Sequence, residues 1–154
     1  MGQSTNSGYA TTGRSKPVRD IQMSVTVANN VLAKSSDFVV TIEVTNSSTN
    51  ALVVGETAPE GIFTVSLADD FGRTWQLTRS ANFYPHSFVS NLKPGESRTW
   101  RIVAAVNQYF APPGLVPTKK DIPPGVYLLK TTGNFRLKDG RDVGLDADLK
   151  VQIK

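Results

Sequence analysis

From Ile21 onward, apolar and polar residues alternate with a period of two. Ile21, Met23, Val25 and Val27 are separated by Gln22, Ser24 and Thr26. Phe38, Val40, Ile42 and Val44 are interleaved with Val39, Thr41, Glu43 and Thr45. Phe63, Val65 and Leu67 form a third set, Trp75 and Leu77 follow a turn, and Trp100, Ile102, Ala104 and Val106 form another. Successive side chains of a strand point to opposite faces, so each run predicts a strand with one face in a core and one in water. Turn-forming clusters lie between them: Asn46–Asn50, Asp69–Arg73 and Lys93–Glu96. No stretch longer than a turn or two has a helical period. Short strands punctuated by turns predict an antiparallel sandwich or barrel.

The last two strands can be registered from the pattern. Tyr127, Leu129, Thr131, Gly133, Phe135 and Leu137 share one face; Val143, Leu145, Ala147, Leu149, Val151 and Ile153 share another. Both sets are odd-numbered, and directly opposed residues lie on the same face of a sheet. A two-residue loop at Asp139-Gly140 would pair odd with even. A three-residue loop, Lys138–Gly140, pairs Phe135 with Val143, Leu129 with Leu149 and Tyr127 with Val151. This predicts a type I turn with Gly140 left-handed in a G1 bulge.

Composition removes much chemistry. The 154 residues contain no Cys and one His. Disulfides, thiolate nucleophiles, Cys-based metal centres and multi-His metal sites are therefore absent. The net charge of +4 comes from Lys and Arg scattered among acids, which describes a basic surface rather than a nucleic-acid track. Residues 1–20 begin as a Gly-, Ser-, Thr- and Asn-rich stretch and read as a flexible leader, with the sandwich spanning 21–154. The Gly-Gln-Ser-Thr-Asn-Ser start resembles the tether that follows the lipidated cysteine of bacterial lipoproteins. Membrane association is expected only through such a tether, with an envelope location slightly favoured over the cytoplasm.

Two motifs resemble known hardware. Ile122-Pro-Pro-Gly-Val-Tyr127 resembles the tyrosine corner of Greek-key sandwiches, in which the Tyr hydroxyl bonds back to the preceding backbone. Phe63-x-Val65-x-Leu67-x-Asp69-x-x-Gly72-Arg73-x-Trp75, followed by Phe83 and by Leu92-x-Pro94-Gly95-Glu96-Ser97-x-x-Trp100, resembles the intracellular proteinase inhibitor family of bacilli. That resemblance implies a single immunoglobulin-like sandwich and, as one functional alternative, proteinase inhibition. The insert at Asn107–Asp121 departs from the family pattern. The fold expected is an all-β, immunoglobulin-like, antiparallel Greek-key sandwich of about seven to nine strands.

No catalytic constellation emerges. His86 lies beside Ser87, but adjacent residues rarely face each other and no nucleophile elbow is present. Asp142, Asp146 and Asp148 fall on the wet face of the last strand, where charges protect a sheet from unwanted pairing. Trp75 and Trp100 sit at core positions. Asn46-Ser47-Ser48 matches an N-glycosylation sequon. The irregular segment Asn107–Asp121 is long for a compact domain; its prolines stiffen it, and Tyr109, Phe110, Leu115 and Val116 are apolar residues a solvated loop does not need. They either fold back to cover an open end of the sandwich or, with Phe83 and Tyr84, form a candidate partner-binding set. The expected function is a non-enzymatic protein-interaction or adaptor module that needs no cofactor or metal and binds another protein. The alternatives are a proteinase inhibitor and a structural subunit of a phage, pilus or secretion assembly.

Overall fold

A computed structural model describes residues 8–33, 37–55, 63–77, 89–106 and 122–154. It is an all-β sandwich of eleven strands in two sheets among the described residues. The first sheet runs β1 (Thr11–Arg14), β2 (Ile21–Val27), β4 (Asp37–Asn46), β9 (Ser97–Ala105). The second is built on β10 (Gly125–Leu137), which pairs along its length with β11 (Asp142–Ile153). The other side of β10 is shared. β6 (Phe63–Ala68) takes its middle, from Leu128 to Gly133, and β5 (Leu52–Gly55) its last residues. β7 (Thr74–Gln76) pairs with β6, and β8 (Val89–Leu92) with β5. After β2 the chain crosses between sheets, and β3 (Val31–Leu32) pairs in parallel with the end of β11. In immunoglobulin terms β2, β4 and β9 are strands A, B and E, and β6, β10 and β11 are C, F and G. β3 is the first strand continued in the second sheet.

The count exceeds the seven to nine expected because β3, β5 and β8 are too short to show alternation. β1 lies inside the stretch read as a flexible leader. Its sequence, Thr-Thr-Gly-Arg, has no apolar face, yet it pairs with β2 from Thr11↔Val27 to Arg14↔Ser24. Gly13 explains how this edge packs. A Cβ there would lie 2.1 Å from the Asp148 carbonyl oxygen, so only glycine lets β1 come this close to β11. Beyond β1, Ser15 is buried and its Oγ accepts the Met23 N–H at 2.9 Å. Arg19 and Asp20, both with positive φ, then make a two-residue turn closed by reciprocal Val18–Ile21 bonds.

The β10–β11 register is the one expected from parity: Phe135 faces Val143, Leu129 faces Leu149 and Tyr127 faces Val151. The Gly140 φ of +96° and the Gly140 N–H bond to the Leu137 carbonyl (2.8 Å) form the predicted bulged turn. The tyrosine corner is present, with the Tyr127 hydroxyl donating to the Pro123 carbonyl.

Where an antibody domain has a disulfide between its sheets, this sandwich has rings. Phe63 on the second sheet meets Trp100 of the first edge-to-face at 5.1 Å, and meets Phe135 at 5.8 Å. Such pairs contribute roughly 1 kcal/mol each beyond their buried area. Thr131 sits in this core with a buried hydroxyl that has no hydrogen-bond partner among the described residues.

Candidate functional site

The strand directions give the sandwich two ends of opposite character. At one end lie the turns Asn46–Asn50, Lys93–Glu96 and Lys138–Arg141, and the Arg19-Asp20 turn. Polar groups close this end. Asn46 is fully buried; its Nδ2 donates to the Asn50 and Leu92 carbonyls (2.8 and 2.9 Å), and its Oδ1 accepts the Ser48 N–H and hydroxyl (3.0 and 2.7 Å). The sequon asparagine is thus a structural clasp, with its amide nitrogen engaged and out of reach of modifying enzymes in the folded state.

The other end carries the crossover from β2 to β3, the start of β4, the tip of the β6–β7 hairpin and the junctions with residues 107–121. Six large apolar side chains among the described residues stand in water: Tyr9, Val39, Phe71, Val103, Val126 and Leu128, from 39% exposed at Leu128 to 85% at Phe71. All six belong to this end. Val39 and Val103 are cross-strand partners on the outer face of β4 and β9. Val126 and Leu128 occupy the outer face at the start of β10, with Leu128 paired to Ala68 at the base of the β6–β7 turn. Tyr9 is tied to the crossover through Asn30, by backbone and side-chain bonds. Exposed apolar residues scattered singly are ordinary; here they gather toward one end, with one pair on the outer face of each sheet.

Phe71 is the most exposed of the six and sits in a hydrogen-bonded turn. Asp69 Oδ1 accepts the N–H groups of Phe71 and Arg73 (3.0 and 2.8 Å), and Gly72 supplies the left-handed residue at φ +81°. Arg73 Nε donates to Asp69 Oδ2 at 2.6 Å, while its guanidinium lies 5.7 Å from the Phe71 ring centroid and 5.6 Å from that of Trp75. Desolvation pushes the Asp69 carboxyl up, but the side-chain bond from Arg73 and the two backbone N–H bonds outweigh it. The net result is a carboxyl below its ordinary range. Beneath the turn, Trp75 packs edge-to-face on Tyr127 at 5.6 Å. Burial of that phenol raises its pKa.

The sequence-derived candidates divide. Tyr109, Phe110, Leu115, Val116, Phe83 and Tyr84 lie outside the described residues, as does His86. The residues flanking the long segment, Val106 and Ile122, are both buried at the apolar end. Asp142 pairs with Arg136 at 3.2 Å, Asp146 accepts the Thr132 hydroxyl at 2.9 Å, and Asp148 lies opposite Lys130, which makes the acidic row an outward strand face. Trp75 is buried and Trp100 packs half-buried against the core, leaving neither as a flat stacking platform. No cluster of metal-ligating side chains occurs among the described residues. Phe71 was missed by the sequence reading, although an aromatic at a hairpin tip flanked by Asp and Gly has no core to reach.

No family model and no curated protein matches the chain. Among solved structures, a Bordetella pertussis protein assigned as ApaA is 12% identical, with a TM-score of 0.45 over 97% of this chain and 98% of its own. A β-glucosidase of Listeria innocua, solved with laminaribiose, is 12% identical with a TM-score of 0.46; it covers 100% of this chain, which spans 17% of that enzyme.

Proposed function

We propose that this sandwich is a protein-interaction module that meets its partner with the apolar end, Phe71 acting as the central anchor. The observation that carries this reading is the segregation of the six exposed large apolar side chains among the described residues to one end, opposite an end closed by satisfied polar groups. The Asp69–Arg73 turn holds Phe71 before contact, so little conformational entropy is lost on binding. Covering an exposed Phe contributes about 1.5–3 kcal/mol, and aromatic and Arg side chains in rigid settings are typical binding hot spots.

A photoreactive benzoylphenylalanine placed at Phe71 or Val103, in cells that make the chain natively, should give a discrete adduct. The same group at Glu96 or Lys138, on the polar end, should give none. Equal labelling from both ends, or labelling from neither, overturns the proposal. Phe71→Ser should weaken binding of the trapped partner by at least tenfold.

A further inference from the structure

The crossover from β2 to β3 leaves the two sheets parted at the apolar end, and a groove of about 430 Å³ opens there. Val27, Leu32 and Phe38 form its floor, the last only half-buried, so the groove reaches the edge of the core. This volume falls in the range of specific ligand sites. Two polar residues reach the groove. The Asn29 side-chain carbonyl accepts the Val31 N–H at 2.9 Å. Asp37 is exposed at the rim, and its carboxylate has no ion pair or hydrogen bond among the described residues. The outer wall is Val39, whose exposed side chain continues onto Val103.

An apolar floor with a carboxylate at its rim that has no partner among the described residues is complementary to an aliphatic chain that ends in a cation. We infer that this groove receives a basic side chain set in an apolar stretch of the partner polypeptide: the methylenes lie on Val27, Leu32 and Phe38, and the cationic head sits at Asp37. Long basic side chains place stem and head in just such divided surroundings. The inference rests on the proposal that this end meets a protein, and it adds the chemistry of one contact.

Backbone amide shifts in a nitrogen-15 NMR titration read the site directly. The probes are acetyl-Leu-Lys-Leu-amide and its counterparts with norleucine or Glu in the centre. The Lys peptide should shift the amides of Asn29–Ala33 and Val39, and bind about threefold more tightly than the norleucine peptide, as for a partly exposed ion pair. The Glu peptide should bind most weakly. Asp37→Asn, at an exposed position, should erase the Lys advantage while norleucine binding persists. Ala28→Phe, also exposed and facing the groove, should abolish the shifts for all three. Equal binding of Lys and norleucine peptides overturns the role of Asp37. Absence of groove shifts with every peptide overturns the site; if Phe71 still crosslinks in that case, the interaction reading of this end stands without it.

Discussion

Replacing Asn46 with alanine tests whether the polar end is held by the clasp described above. The side chain makes four hydrogen bonds, two as donor and two as acceptor. A net hydrogen bond is worth about 0.5–1.5 kcal/mol, and a buried group left without its partner costs about 1–3. Only the bond to the Leu92 carbonyl is fully buried; those involving Ser48 and Asn50 are partly accessible, so water recovers part of their loss. The variant should therefore lose about 2–3 kcal/mol, or roughly 6–10 °C of Tm for a chain of this size. Urea unfolding followed by tryptophan fluorescence measures it, since Trp75 and Trp100 both pack against the core. Asn46→Asp adds a second reading. It removes both donors and sets a carboxylate against two carbonyl oxygens in a buried site, which raises its folded-state pKa above the unfolded value. Stability linked to the protonated form is present below the unfolded pKa and lost as pH rises, so the aspartate variant should be less impaired at pH 4 than at pH 7. A loss under 0.5 kcal/mol for alanine, or a pH-independent loss for aspartate, would refute the reasoning.

Three further outcomes are expected. Gly13→Ala should cost about 1–3 kcal/mol and raise hydrogen exchange in β1, because its methyl would displace the Asp148 backbone; unchanged exchange would show that β1 does not depend on the close approach. Thr131→Val should stabilise the fold by about 1 kcal/mol in urea, since it removes a buried hydroxyl without a partner among the described residues, and a loss of stability would reveal a bond to that hydroxyl. Acid should weaken the fold through Asp69 and Asp139. For Asp139 the Arg141 side-chain and backbone bonds lower the pKa, and for Asp69 the Arg73 and Phe71 bonds prevail over desolvation. Folded pKa values below the unfolded ones give stability that is present above about pH 4 and lost below it; the urea midpoint should drop there, and less in the Asp69→Asn, Asp139→Asn double variant.

The long strands were legible because alternation over seven or more residues is set by burial on one face. Odd-numbered parity on both sides of Gly140 was enough to choose the loop length and the register of β10–β11. β1 was not legible: its packing depends on the absence of a side chain at Gly13, and a missing Cβ has no period. Asn46 read as a turn residue and a sequon because its partners, Leu92 above all, are brought to it only by the pairing of β5 with β8. The candidate surface was the least legible part. Val39 and Val103 look like lapses in two separate polar faces until β4 and β9 pair and place them side by side. Phe71, Val126 and Tyr9 are far apart in the chain, and their shared end follows from strand direction, which local pattern does not encode.

The apolar end also holds Tyr9 and Lys154. Tyr9 bonds the crossover at Asn30, and the Lys154 N–H donates to the Leu32 carbonyl at 3.0 Å. An affinity handle or fluorescent protein fused after Lys154 would therefore stand beside Leu32 of the groove, and could mask the partner it was meant to recover. The Lys138–Arg141 turn, exposed and at the opposite end, is the place to insert a label that leaves the contact region uncovered.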